Sequence, residues 1–126
     1  MIETVRVTKQ GKDRLVTLKR RTGITNWNVL CRWAFCISLS EPSVPSTEQL
    51  KGEIQIEMTW RTFGGEYAEI YWALLKERCK TDGLDLDEDT LARQFRLHLH
   101  RGIGYLVANP DLTSISGLIN LAVGLK

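Results

Sequence analysis

Hydrophobic spacing divides the chain into a few elements. Residues 3–8, ETVRVT, alternate β-branched and polar side chains, which predicts a short strand. Val5 and Val7 then face one side, with Thr4, Arg6 and Thr8 on the other. From about residue 8 the period lengthens to that of a helix, whose buried face carries Leu15 and Leu18 and which Gly23 is placed to stop. Thr25 or Asn26 is suited to cap a second helix, NWNVLCRWAFCISLS, which ends before Pro42. Trp27, Val29, Leu30, Cys31, Trp33, Ala34, Phe35, Cys36, Ile37 and Leu39 cover nearly every side of it. A helix apolar all round is expected to be buried all round, by its own core and by a partner chain.

Residues 41–49, EPSVPSTEQ, read as a linker. In EIQIEMTW, Ile54, Ile56, Met58 and Trp60 alternate with polar residues, the pattern of a second strand or of an irregular lead into a helix. Gly64 and Gly65 mark a turn. Tyr67, Ile70, Tyr71, Leu74 and Leu75 then recur at helical spacing over residues 65–80, with Gly83 as the stop. Asp87 is a good cap, with Glu88 and Asp89 in the first turn, for a helix running towards Val107 and weakened near its end by Gly102 and Gly104. A last short helix is expected with Leu112, Ile115, Leu118 and Ile119 inward.

The fold class expected is mainly α (α+β), a single domain over residues 1–126. Residues 1–40 are expected to form a strand–helix–helix part, 41–60 a linker and possible strand, and 61–126 a helical part. The opening order is that of a ribbon-helix-helix module, in which two chains pair their strands and interlock their second helices.

Composition and charge refine this picture. No run of about 18 apolar residues occurs, so no membrane span is expected. The first ten residues lack the apolar core of a secretory signal. Three cysteines without paired spacing suit a reducing cytoplasm. The net charge is only +2, but its distribution is uneven. Residues 1–33 carry eight Lys/Arg against two acids, net +6; residues 34–92 carry five against twelve, net −7. A basic first third suggests one polyanion-facing surface; a solvated helix face accounts for the same count equally well.

The basic cluster is the best functional signal. At 100° per residue, Lys9, Lys12, Lys19 and Arg20 fall within an arc of roughly 100° on the first helix. Lysines on one face neutralise phosphates without reading bases. The segment KRRTGITNWN then places Arg20 and Arg21 beside the start of the second helix, whose free N–H groups and dipole suit an anion. The candidate DNA-binding residues are therefore Lys9, Lys12, Lys19, Arg20, Arg21, Thr22, Gly23 and Asn26. Arg6 and Thr4 are the only candidates for base reading, too few for strong sequence recognition.

Other motifs are weaker. RGIGYL lacks the third glycine of a dinucleotide loop, and close packing or a bend is the better reading of Gly102 and Gly104. His98 and His100, two apart on a helix, are badly spaced for a metal, and one is expected half-buried and the other solvated. Arg93, Arg96 and Arg101 extend a basic surface or pair with acids of residues 82–89. Cys31 and Cys36 read as packing residues, with Cys79, beside Arg78 and Lys80, the better thiolate candidate. No catalytic set, metal site or cofactor motif is found, so a non-enzymatic role is expected.

KRRTGITNWNVLCRWAFCISLSEPS, MTWRTFGGEYAEIYWALLKERC and FRLHLHRGIGYL together resemble the DndE family of DNA sulfur modification proteins. The resemblance implies a place in the bacterial DNA phosphorothioation system, a restriction-modification setting in which sulfur replaces a non-bridging phosphate oxygen. It implies a helical, oligomeric, cytoplasmic protein without a catalytic centre, which binds double-stranded DNA, preferentially nicked, and meets other phosphorothioation proteins. A tetramer is favoured over a dimer. The alternatives are a scaffold docking the modification enzymes and a sequence-specific ribbon-helix-helix regulator.

Overall fold

The computed structural model describes residues 1–47, 52–109, 117 and 119. Strand β1 (Thr4–Thr8) passes directly into helix α1 (Lys9–Thr22), because Thr8 serves both elements. Its Oγ1 accepts a hydrogen bond from the Gly11 N–H at 3.2 Å and caps the helix. Gly23, at φ 77°, closes α1 in the left-handed conformation that glycine adopts without strain. Helix α2 (Trp27–Leu39) follows, then β2 (Ile54–Thr59), α3 (Trp60–Gly64), a 3₁₀ turn (Gly65–Tyr67), α4 (Ala68–Thr81) and α5 (Glu88–Ala108). The fold is mainly helical with a two-stranded antiparallel sheet.

The expected ribbon between two chains is instead closed within one. β2 pairs antiparallel with β1, Val5 opposite Met58 and Arg6 opposite Glu57. The register slips between Val7 and Thr8. That irregularity rotates Thr8 out of the alternation, so it is buried rather than facing outward with Thr4 and Arg6.

Val5, Val7, Leu15 and Leu18 enter one hydrophobic cluster with α2 and α5. At its centre Phe95 lies 5.0 Å from Phe35, 5.0 Å from Phe63 and 4.8 Å from Trp60 between ring centroids, in tilted and edge-on pairs. The most extensive packing is α2 against α5. Gly102 allows it: a Cβ there would collide with the Ala34 carbonyl.

Single-chain burial stops short of covering α2. Leu30, Cys31, Ala34, Phe35 and Ser38 are inside, whereas Val29 and Trp33 are half-exposed and Cys36 is exposed. The helix expected over residues 65–80 starts at Ala68, after the 3₁₀ turn, and only part of its expected apolar set is turned inward. Ala68, Leu75 and Cys79 point inward, while Tyr67, Ile70 and Leu74 face solvent. Asp87 caps α5 as expected, its Oδ2 accepting from the Thr90 N–H at 3.0 Å. Leu112, Ile115 and Leu118 lie outside the described residues; Ile119 is exposed rather than inward.

Both histidines of RLHLHR are buried, which corrects the expectation that one is solvated. His100 Nε2 accepts the Thr8 N–H at 3.1 Å, so its proton sits on Nδ1, which donates to the Arg96 carbonyl at 2.7 Å. A neutral ring thus ties α5 to the head of α1. His98 Nδ1 lies 2.8 Å from Ser38 Oγ, which accepts from Arg101 Nε at 2.9 Å. His98 Nε2, on the far side of the ring, is buried and has no hydrogen-bond partner among the described residues.

Arg101 extends no basic surface. It is buried and donates to the Ser38, Glu41 and Ser43 carbonyls, while Arg78 donates to those of Leu39, Glu41 and Ser43. Two guanidinium groups from α4 and α5 so clamp the chain leaving α2.

Burial, reinforced by the Arg78 and Arg101 charges, pushes His98 down from 6.5 to about 4, and burial lowers His100 as well. The unfolded chain accepts protons that the folded one refuses between these values. Stability is therefore full above about pH 6.5 and is lost as pH falls towards 4, by roughly 3 kcal/mol for His98. Urea unfolding across pH 7 to 4 should show the decline, with His98→Gln flattening it; a flat wild-type profile excludes this linkage.

Candidate nucleic-acid interface

The α1 arc reaches solvent because Gly11, Leu15, Leu18 and Thr22 fix a different, flanking face inward. Lys9 and Arg20 are exposed, and Lys12 and Lys19 half-exposed. Lys9 Nζ meets Asp13 Oδ2 at 3.1 Å, with both side chains well exposed. Such a solvated pair is worth little and leaves the lysine able to engage a phosphate. Lys19 Nζ sits 3.7 Å from the centroid of the Trp27 ring.

The turn after α1 separates the remaining candidates. Arg21 is turned back into the protein, its Nη1 donating to the Val107 carbonyl at 2.9 Å. Thr22 is buried, donating to the Leu18 carbonyl and accepting from the Ile24 N–H. These two hold the turn in place, whereas Gly23 and Asn26 are exposed. Asn26 occupies the cap position of α2, but its side chain makes no capping hydrogen bond. The helix start is thus without the side-chain acceptor that would otherwise satisfy its N–H groups.

Trp27 was not among the expected site residues. Its half-buried ring lines a cleft of about 330 Å³ with Asn28, Glu57, Met58 and Thr62. The signal in the sequence was its place at the first position of α2, eight residues after Lys19, hidden by the reading of α2 as buried throughout.

Across the ribbon, Arg6 Nε meets Glu57 Oε1 at 3.4 Å. Both side chains are more than half exposed, so this pair, like that of Lys9, leaves the cation able to engage DNA. The thiols also lack the environment of a nucleophile. Burial pushes Cys31 up to about 12 and raises Cys36 and Cys79, the last fully buried despite its cationic neighbours in sequence. No helix among the described residues is long and apolar enough to cross a membrane.

These features define a small, mainly helical domain whose cations gather on one exposed helix and the turn that follows it. Residues 4–114 match the family described as DNA sulphur modification protein DndE, and the chain belongs to that family. It is similar to the crystal structure of DndE from Escherichia coli B7A, described as involved in DNA phosphorothioation modification. That likeness has a TM-score of 0.67 and 26% identity, covering 84% of this chain and 98% of the other. It shares its fold with a DndE G21/24K mutant structure, at TM-score 0.67 and 24% identity, covering 86% and 100% of the two chains. No curated protein matches the chain.

Proposed function

We propose that the chain is a non-catalytic subunit of the DNA phosphorothioation system that binds duplex DNA, with a preference for a nick. The observation that carries this reading is the exposed arc of Lys9, Lys12, Lys19 and Arg20, which runs towards a helix start lacking a side-chain cap. The lysines supply sequence-independent contact; Arg20 and the α2 N–H groups hold a single phosphate. A broken backbone reaches a compact anion site more easily than a continuous strand. Arg21 and Thr22 act by fixing the turn, and Gly23 and Asn26 leave its backbone open.

Self-association completes the reading. Val29, Trp33, Cys36 and Tyr71 surround a cleft of about 290 Å³, and Tyr67, Ile70 and Leu74 expose a second apolar stripe on α4. We assign these faces to a homo-oligomer, a tetramer in preference to a dimer, working in the cytoplasm with the other phosphorothioation proteins.

Titrating fluorescent nicked and intact duplexes at several salt concentrations tests the DNA reading. Lys9→Ala, Lys12→Ala and Lys19→Ala should each weaken binding to all sequences and lower the salt slope by about one unit per lost contact. Unchanged affinity and slope in the triple variant would remove the basic-face assignment.

A further inference from the structure

Resting on the DNA-binding reading, we propose that the cleft in front of Trp27 is a nucleobase site, taking one unstacked base from the strand end at a break. Two independent observations converge there. The first is the aromatic–cation pair: Lys19 Nζ stands 3.7 Å from the centre of the Trp27 ring, at the end of the exposed cation arc. An indole stacks on any base, and the nearby ammonium meets the phosphate that the base brings with it.

The second is the character of the cleft. Its volume of about 330 Å³ is bounded by Trp27 and Asn28 of α2, Glu57 and Met58 of β2, and Thr62 of α3. Met58 and the indole give apolar surface for a ring. Thr62 and Asn28 give polar edges, and the Asn28 amide is held by its bond to the Thr62 carbonyl at 3.1 Å. Glu57 would repel a phosphate but tolerates an uncharged base. Charge therefore divides the nucleotide, with base inside the cleft and phosphate outside at Lys19. Intact duplex keeps its bases stacked and paired; a terminal base at a break leaves the stack at lower cost. The cleft thus discriminates broken from continuous strands, whereas the lysine arc alone does not.

Photocrosslinking with the full-length chain tests this directly. 5-Iodouracil is placed at the strand end of a nicked duplex and at the same position in an intact one, and the crosslinked peptide is identified by mass spectrometry. The adduct should map to Trp27 with nicked DNA and be absent with intact DNA. In parallel, Trp27→Leu should lower affinity for the nicked duplex about tenfold, well beyond any change on the intact duplex. Trp27→Phe should retain most of the preference. Should Trp27→Leu fail to fold, Trp27→Phe and the wild-type crosslink still decide. Crosslinks mapping elsewhere, or both variants matching wild type on both duplexes, would overturn the base site while leaving the basic-face reading standing. A wild-type chain that binds neither duplex overturns both.

Discussion

Gly102→Ala should lower the unfolding free energy by at least about 3 kcal/mol, with a fall in Tm on the order of 10 °C. Helix propensity alone predicts the opposite sign, since alanine is favoured over glycine inside a helix by about 1 kcal/mol. The collision decides. The added methyl would enter the Ala34 carbonyl, a backbone group that cannot rotate away, so α2 and α5 must separate along their most extensive contact. Gly104→Ala is the internal control: its new methyl would meet only the mobile end of Arg14, 3.2 Å away. It should be neutral or stabilising. Denaturant unfolding of the two variants side by side checks the argument, and equal effects would refute it.

Arg101→Ala should cost about 3 kcal/mol or more, because it removes hydrogen bonds to three carbonyls and to the Ser38 hydroxyl at once. Arg101→Lys should rescue little. An ammonium cannot reproduce a planar fork that spans Ser38 and Ser43. Limited proteolysis should reveal the local consequence, with cleavage after α2 appearing before global unfolding. Resistance equal to wild type in Arg101→Ala would mean that Arg78 alone holds this segment.

Much of the fold was legible because local rules and tertiary packing agree. Thr8, Gly23 and Asp87 mark the boundaries that their chemistry favours, and the alternation of Ile54, Ile56 and Met58 does form a strand. The failures share one cause: composition does not say which neighbour a face meets. The second helix is apolar all round, and within one chain α5 covers the side that Gly102 lets approach, leaving exposed the side expected to meet a partner chain. Tyr67, Ile70 and Leu74 keep the correct period yet face solvent, while Leu75 of the same set enters the core with Ala68 and Cys79. A strand without an evident local partner suggested a second chain, because pairing with β2 spans two intervening helices and cannot be read from periodicity.

The candidate site was legible as a charge pattern and illegible as hydrogen bonding. The arc from Lys9 to Arg20 follows from helical geometry alone. Arg21 is drawn in by the Val107 carbonyl, which only the fold brings near, whereas Thr22 bonds the Leu18 carbonyl one turn back in its own helix. Nor does a cap residue's identity reveal whether its side chain bonds: Asn26 stands in position without doing so.

The in-chain ribbon also bears on how this protein can be taken apart. Every cation of the α1 arc lies within the first forty residues, which invites treating that stretch as a portable binding module. Yet β1 finds its ladder partner in β2, the head of α1 is held by His100, and α2 rests on α5. A peptide ending near residue 40 would keep the charges and lose the scaffold that arranges them, and should behave as a disordered polycation. Grafting or truncation must carry α5 along with the basic helix, because the surface that meets solvent is shaped by the far end of the chain.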